Sequence, residues 1–263
     1  YIDGETIHLH HDRHLQTYID NLNHFLTENP ALQKYSLEEL LTVWRRLPCH
    51  LQAPLRNNAG GIYNHRFYFE SMKPCRSTAC SRGNAAVPET GSCFSEEETV
   101  FSFRLFQEMS RQFGSPENFK TRFKEAALSV FGSGYAWLVS DGGRLKIVTS
   151  ANQNTPVFRS GAHILNVDVW EHAYYLKHYN LRAAYIDDWF RVVNWEKAGE
   201  RFASVHPDAG ADKIFFAFSA DHKPDWADTL PVSALLICSD SVPPGRNFRA
   251  GYGKSRSGIN DNG

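Results

Sequence analysis

The sequence predicts an α+β protein, with a helical N-terminal half and a C-terminal half that mixes strands with helices. Apolar residues recur at helical spacing near the start of the chain, whereas two β-rich runs flank Asp141-Gly142-Gly143, a sequence typical of a β-hairpin turn. The composition is that of a globular protein, since 42% of the 263 residues are hydrophobic and can supply a core.

The N-terminal half contains three predicted helices. Residues 6–28 form the first, because apolar side chains recur there every three or four positions. These positions are Leu15, Tyr18, Ile19, Leu22 and Phe25. The segment Ser36-Leu37-Glu38-Glu39 has the pattern of a capping box and opens a second helix. Residues 53–72 form the third, although Gly60 and Gly61 each cost a helix about 1 kcal/mol relative to alanine, which indicates a close approach to the backbone.

The C-terminal half is expected to contain three strands between helices. Short β-rich runs predict the strands, and the Asp141-Gly142-Gly143 turn joins the first two. The expected elements are helices at 97–113 and 116–131, strands at 135–140, 144–150 and 164–169, and helices at 171–180 and 183–192.

Composition divides the chain into four segments. Residues 73–97 are small, polar and turn-rich, as expected of an insertion or linker between a domain at 1–72 and a domain at 98–202. Residues 203–263 are rich in Gly, Ser, Asp and Pro, and we expect a C-terminal extension that is disordered or weakly ordered.

Charge and cysteine content narrow the partners and the compartment. The formal net charge of −1 gives no reason to expect nucleic acid or an anionic membrane as a partner, and no apolar run approaches the roughly 20 residues of a membrane span. The five cysteines are odd in number and scattered, so a reducing, cytoplasmic location is favoured over a disulfide framework. Cys75, Cys80 and Cys93 offer only three ligands at a spacing that makes a poor zinc signature.

Two groups of side chains in the N-terminal half are candidates for chemistry. His10, His14 and Tyr18 fall on one stripe of a helix, because residues four apart are neighbours. For any single histidine the simpler explanation is the polar side of an amphipathic helix, but the whole cluster favours a functional site. His65 forms the second group together with the glycines shortly before it, which leave space on that helix face.

A third group lies at a strand-to-helix transition. Asp168 and His172 are four residues apart, so a carboxylate from the strand end and an imidazole from the first helical turn can converge on one point. The alternative is that Asp168 is simply the N-cap of the helix, a common role for aspartate. Taken with the other two groups, three imidazoles and one carboxylate suit Mn, Fe or Zn.

Together these motifs resemble one family. The strings LHHDRHLQTYIDNLN, LRNNAGGIYNHRFYF, FGSGYAWLV, TSANQNTP and DVWEHAYYLKHYN occur in the order and spacing of iron/manganese superoxide dismutases, with a manganese-type, bacterial-like pattern. The resemblance covers approximately residues 1–72 and 98–202. It implies an N-terminal helical hairpin domain and a C-terminal α/β domain with a three-stranded antiparallel sheet, with the metal between them.

The resemblance also implies a site and a reaction. One manganese ion per subunit, or alternatively iron, would be bound by His10, His65, Asp168 and His172. Superoxide would be converted to oxygen and hydrogen peroxide by alternate reduction and oxidation of that ion. Gln153 would hydrogen-bond a metal-bound solvent molecule, Tyr18 would continue the network, and His14 would stand behind it at the substrate entrance.

Further residues match family positions around the metal. Gly61 and Gln153 match the manganese-type pattern, whereas iron-type members usually carry the glutamine on the helix. Tyr135, Trp137 and Trp170 would wall the site, although each ring taken singly is equally well explained as part of the core. Tyr135 stands where many relatives have tryptophan.

Other matches concern charge and assembly. Arg182 would guide the superoxide anion by a local positive field, but the segment around it lacks the Pro and Asp of the family's NxRPDY motif. The simpler alternative is an ordinary exposed arginine at a helix start. Glu171 would bond His172 of the partner subunit and Tyr175 the partner subunit's His14, which implies a homodimer or tetramer.

Three alternatives to a manganese superoxide dismutase remain open from the sequence. The first is an iron-dependent or dual-metal enzyme. The second is a non-enzymatic metal-binding protein on the same scaffold, suggested by the insertion and the extension. The third is an oxygenase with two histidines and one carboxylate, which predicts only three protein ligands.

Overall fold

The computed structural model describes residues 1–74, 100–156 and 161–206. The expectations for the insertion at 73–97, with Cys75, Cys80 and Cys93, and for the extension at 203–263 therefore lie almost entirely outside the described residues. The domain boundaries placed at these segments stay predictions.

The first predicted helix is continuous but contains a π-helical segment. It consists of α1 (Gly4–His8), a π-helical segment (Leu9–Leu15) and α2 (Gln16–Glu28). The side chain of Asp3 caps its start by accepting a hydrogen bond from the backbone N–H of Thr6 at 2.8 Å. The prediction of a helix over 6–28 is thus confirmed, and the π segment, which periodicity did not predict, lies where the histidine stripe begins.

Two further helices complete a helical hairpin domain. The capping box predicted at Ser36 is present and opens α3 (Leu37–Val43). Helix α4 (Cys49–Glu70) begins four residues before the predicted position and accommodates Pro54 within it. α2 packs against α4, and their shared core includes Leu22, Leu55 and Ile62. Short 3-10 turns (Pro30–Leu32 and Trp44–Arg46) connect the helices.

The C-terminal domain is built on a three-stranded antiparallel sheet, as the resemblance implied. Helices α5 (Val100–Phe113) and α6 (Pro116–Ser129) precede strands β1 (Gly134–Asp141), β2 (Arg144–Ala151) and β3 (Gly161–Asp168), and the strand order is β2-β1-β3. Gly142 and Gly143 have φ angles of 57° and 80°, which the tight turn of the β1–β2 hairpin requires. The hairpin prediction is confirmed.

The segment after β3 departs from its prediction. Instead of one helix over 171–180, there is a 3-10 turn (Glu171–Ala173) followed by the short helix α7 (Tyr175–His178). Tyr179 has a φ of 49°, in the left-handed region, and this ends α7. Helix α8 (Arg182–Phe190) corresponds to the helix expected at 183–192.

A last helix was not predicted from the sequence. Helix α9 (Trp195–Ser204) begins at an N-cap, where the side chain of Asn194 accepts a hydrogen bond from the N–H of Lys197. The helix packs against α5, and Gly199 allows the contact because a Cβ there would meet Phe101 backbone at 2.5 Å. It ends two residues beyond the boundary expected at residue 202.

Helix α4 joins the two halves of the molecule. Tyr68 of α4 is fully buried in the same core as residues of the sheet, such as Leu138 and Leu165. Arg201 of α9 bonds Glu70 and Ser71 at the end of α4, at 3.0 and 2.7 Å. A site between α4 and β3 is therefore held from both sides. Within the described parts of the chain, no helix is long and apolar enough to cross a membrane.

Candidate metal centre

The histidine stripe predicted on the first helix exists. The ring centroids of His10 and His14 are 5.9 Å apart, and those of His14 and Tyr18 are 5.1 Å apart. His10 is buried, with 2% of its surface exposed, while His14 and Tyr18 are partly exposed. The stripe therefore runs from the interior toward the surface.

His65 is presented by α4 in a fixed orientation. Its Nδ1 donates to the carbonyl oxygen of Gly61 at 2.6 Å, one turn earlier in the helix. Because a neutral imidazole has one donor and one acceptor nitrogen, this bond leaves the Nε2 lone pair directed away from the helix. A hydrogen bond of this kind fixes the tautomer of a metal-binding histidine.

The two carboxylate oxygens of Asp168 have different surroundings. Its Oδ1 accepts a hydrogen bond from the backbone N–H of Trp170 at 2.8 Å, although Trp170, and not Asp168, is the N-cap of the 3-10 turn that follows. Its Oδ2 lies 3.2 Å from Nε2 of His10, 3.6 Å from Nε2 of His65 and 3.4 Å from Nε2 of His172. One oxygen thus holds the turn and the other faces the three imidazoles.

These four residues fit a metal ion. One ligand atom from each lies within 4.8 Å of all the others. Oδ2 of Asp168 is fully buried and has no hydrogen-bond partner, although an unpaired buried carboxylate oxygen is costly. A cation at the point where the lone pairs converge would satisfy it. Three imidazole nitrogens and one carboxylate oxygen suit Mn, Fe or Zn.

The protonation states of the ligands agree with this role. Burial lowers the pKa of His10, and it lowers the pKa of His65 to about 3, so both imidazoles are neutral near neutral pH. Burial raises the pKa of Asp168, but His172 and His10 lower it by more, and the pKa stays well below its ordinary value. His10 and His65 therefore supply neutral imidazoles, and Asp168 supplies a carboxylate.

Gln153 joins two phenols beside the ligands. Its Nε2 donates to Tyr18 Oη at 3.2 Å, and its Oε1 accepts from Tyr135 Oη at 3.0 Å and from Asn64 Nδ2 at 3.3 Å. Asn152, with a φ of 54°, makes the left-handed turn that directs Gln153 inward from the end of β2. The family resemblance implied a network of Gln153 and Tyr18 only, and Tyr135 and Asn64 are additional members.

The paired glycines of α4 make room for the network. A Cβ at Gly61 would lie 2.5 Å from the ring of Tyr18, and a Cβ at Gly60 would collide with the carbonyl oxygen of Gln153. The close approach expected from these glycines is therefore real, and the groups that approach are Tyr18 and the Gln153 backbone.

Comparisons with known proteins agree with this geometry. Residues 1–73 match the model of the iron/manganese superoxide dismutase alpha-hairpin domain, and residues 102–201 match the model of the C-terminal domain. Manganese superoxide dismutase 3 of Leptolyngbya boryana is 40% identical over 205 residues, which are 78% of this chain and 77% of that protein. The manganese enzyme of Escherichia coli K12 is 39% identical over 210 residues, 78% of this chain and 91% of that protein. The chain belongs to the iron/manganese superoxide dismutase family.

The aromatic residues expected around the centre of this superoxide dismutase family member lie at different distances from the candidate ligands. Trp170 lies beside a candidate ligand, with its ring centroid 5.5 Å from that of His172. Tyr135 reaches another ligand, with its hydroxyl 3.5 Å from Nε2 of His65. Trp137 is fully buried behind Tyr135, at 5.8 Å between ring centroids, and donates to Ser150 Oγ.

Arg182 is placed by bonds to the backbone. Its guanidinium donates to the carbonyl oxygens of Val130 and Gly132, both at 2.7 Å, and to Tyr174 Oη at 3.2 Å. It is a partly buried residue that ties the start of α8 to the loop before β1, which differs from the simple exposed arginine considered as an alternative.

The two residues expected at a subunit interface are on the surface. Glu171 is exposed on the 3-10 turn next to His172, and Tyr175 has 46% of its surface exposed. His14 is half-buried beside the ligands, and its ring centroid is 4.1 Å from that of His172. Burial and the neighbouring His172 and His10 lower the pKa of His14 to about 4.

Sequence reasoning missed several residues that support the ligands. Tyr185 donates to the carbonyl oxygen of Asp168 at 2.8 Å and is bonded to Tyr68 Oη at 2.9 Å. Asn166 donates to the carbonyl oxygen of Asn64 at 3.1 Å, next to His65. Tyr185 is the last residue of the family's NxRPDY motif, which also contains Arg182, so this motif could have identified it. The others depend on contacts between distant parts of the chain, for which periodicity gives no signal.

Proposed function

We propose that this protein is a manganese-preferring superoxide dismutase that binds one metal ion per subunit through His10, His65, Asp168 and His172. The observation that carries the proposal is the unpaired, buried Oδ2 of Asp168 facing three imidazole nitrogens. When bound, the metal supplies the one-electron redox chemistry that oxidises one superoxide to oxygen and reduces another to peroxide. An oxygenase with three protein ligands is disfavoured, because a third histidine joins the set.

The chain's own residues manage the protons of this reaction. Formation of hydrogen peroxide consumes two protons, and Tyr18 is the phenol on the partly exposed side of the centre. Its oxygen accepts from Gln153 Nε2, so its hydroxyl hydrogen can donate to a group bound at the site. Burial raises the pKa of Tyr18, which keeps the phenol protonated. Gln153 holds that phenol in place.

The preference for manganese is supported by the origin of Gln153. It enters from the loop after β2, and Gly61 leaves the space that Tyr18 fills beside it. The relatives reported above are named as manganese enzymes. We also propose that Arg182, held on two carbonyl groups, contributes positive potential that attracts the superoxide anion.

The assembly we propose is a homodimer, with a tetramer as the alternative. Four large apolar side chains that follow His172 closely in the chain are exposed, namely Tyr175, Leu176, Tyr179 and Leu181. Exposed apolar patches of this kind mark interaction sites. In the dimer, Tyr175 would bond the partner subunit's His14. The exposed free thiol of Cys49 fits the reducing environment of the cytoplasm.

The proposal is tested with the full chain loaded separately with manganese and with iron. We expect the manganese form to inhibit the superoxide-dependent reduction of cytochrome c and the iron form to do so less. A protein that retains manganese but has no such activity would be the non-enzymatic metal-binding protein considered above. Equal activities would indicate a dual-metal enzyme.

A further inference from the structure

His163 of β3 lies against α4 and is not one of the four candidate metal ligands. Tyr63 of α4 and His163 of β3 are bonded through Oη and Nδ1 at 2.8 Å. The other ring nitrogen of His163, Nε2, lies 2.7 Å from the carbonyl oxygen of Pro156. The imidazole packs against Trp137, with ring centroids 4.9 Å apart. A continuous bridge therefore links α4, through β3, to the segment after β2.

The direction of this bridge follows from the chemistry of its members. The carbonyl oxygen of Pro156 can only accept, so His163 Nε2 must donate, and in the neutral ring Nδ1 must then accept from the Tyr63 hydroxyl. Burial lowers the pKa of His163 to about 4, and burial raises the pKa of Tyr63 to about 12. Both groups thus have the required protonation state at neutral pH. The charged groups nearby, Arg201 and Glu38, lie along the same cavity wall.

The segment that receives the bridge carries Gln153. Asn64 holds one side of it, donating to the Gln153 carbonyl oxygen at 3.2 Å and accepting from Thr155 Oγ1 at 2.6 Å. Pro156 follows directly, with a φ restricted by its ring. The bond to His163 is therefore a second tether, on the far side of Asn64.

Small displacements of this segment matter for the Gln153 side chain. Its bonds to Tyr18 and Tyr135 are 3.2 and 3.0 Å long, and hydrogen bonds weaken steeply with distance and angle. We propose that His163 is a positioning residue, which holds the Gln153 segment through its bridge between Tyr63 and the Pro156 carbonyl. This role rests on the proposed function, since it acts on the reaction through Gln153.

The test compares four variants of the manganese-loaded full chain. His163→Leu removes both bonds of the bridge, Tyr63→Phe removes one, and His163→Gln keeps an amide that can donate to Pro156 and accept from Tyr63. Ser140→Ala is the matched control, because Ser140 lies in the neighbouring strand β1 and the variant removes its part-buried 2.7 Å bond to His206, which follows α9. Hydrogen exchange of the backbone amides at 152–155 is measured together with metal content, kcat and KM.

We expect His163→Leu to speed exchange at 152–155 and to lower kcat, each by about tenfold, with metal content unchanged, since the two lost hydrogen bonds are together worth at least about that factor. Tyr63→Phe should have a smaller effect in the same direction. His163→Gln should restore most of both quantities, which a role in packing alone would not produce. Ser140→Ala should match the unaltered chain.

Three outcomes overturn the proposal. The first is that exchange at 152–155 is unchanged in His163→Leu. The second is that His163→Leu and His163→Gln change exchange and kcat equally, and the third is that Ser140→Ala changes them as much as His163→Leu does. If His163→Leu fails to fold, Tyr63→Phe and His163→Gln decide between the same outcomes. An unaltered chain without dismutase activity, whose exchange still responds to His163→Leu, would contradict the proposed function and leave the tether established.

Discussion

The four candidate metal ligands and the His163 bridge are two polar clusters that share α4, through His65 and Tyr63, and they differ in how their hydrogen bonds are completed. At the candidate ligand cluster, three histidine Nε2 atoms lie around Asp168 Oδ2, which has no hydrogen-bond partner. In the bridge, donor and acceptor alternate from Tyr63 to Pro156. Buried polar groups are normally paired. The unpaired carboxylate oxygen therefore fits a cation site, whereas the completed chain of donors and acceptors fits a structural support.

The difference also has an energetic side. The four candidate ligands come together only in the folded chain, so metal binding adds to the free energy of unfolding and the contribution of this cluster depends on the metal. The bridge needs no ion, and its contribution should be the same with and without metal. The predictions below test this contrast, beginning with the largest effect.

Asp168→Asn should abolish most of the activity. The substitution keeps an oxygen that can accept from Trp170 but removes the charge that balances the metal. We expect manganese content and dismutase activity to fall by at least about 100-fold, at the upper end of what weaker perturbations of metal sites produce. Asp188→Asn is the matched control, since Asp188 pairs with Lys177 and His178 instead. Full manganese occupancy in Asp168→Asn would remove Asp168 from the ligand set.

Manganese should stabilise the fold by an amount that does not depend on the bridge. At a free metal concentration about 1,000 times Kd, linkage adds about 4 kcal/mol to the free energy of unfolding. Chemical denaturation with and without manganese measures this increment. The same increment is expected in His163→Leu, and an increment that disappears there would show that the two clusters are one energetic unit.

The His163 bridge should make the free energy of unfolding depend on pH. The pKa of His163 is about 4 in the folded protein and 6.5 is the ordinary value, so the unfolded chain binds this proton more readily between these pH values. The stability contributed by the neutral ring is fully present above pH 6.5 and is lost as the pH falls toward 4. Over this window the metal-free protein should lose up to about 3 kcal/mol more than His163→Leu. Parallel stability curves for the two proteins would contradict the shift.

The sequence predicted the ligand cluster far better than the bridge, for a physical reason. His10, His14 and Tyr18 are related by helical spacing, and Asp168 and His172 by a single turn, so local rules and the family motifs both pointed to them. Tyr63 and His163 are 100 residues apart, and no periodicity connects them. Their pairing appears only when α4 packs against β3.

The same limit applies to the secondary structure. The helix expected over 171–180 was broken because Asp168 captures the N–H of Trp170 and Tyr179 adopts a positive φ, which are features of tertiary context. Helix α9 was missed although its local signals are present, since Asn194 caps it and the buried Trp195, Ala198 and Phe202 recur at helical spacing. By contrast, the Ser36 capping box and the Gly142-Gly143 turn are local and were predicted.

Gly61→Ala should have the smallest effect on activity and stability. It tests the Tyr18–Gln153 contact, which lies between the candidate ligands and the segment that His163 holds. The new Cβ would lie 2.5 Å from the Tyr18 ring, so the ring must move and its bond to Gln153 must lengthen. Overpacking of this kind typically costs about 1–3 kcal/mol, and we expect a lower melting temperature with a several-fold decrease in kcat. Gly4→Ala is the control, because a Cβ there meets nothing within 4 Å. If both glycine variants melt and turn over alike, Tyr18 can yield freely, and Gly61 then has no part in placing the network that His163 tethers from the other side.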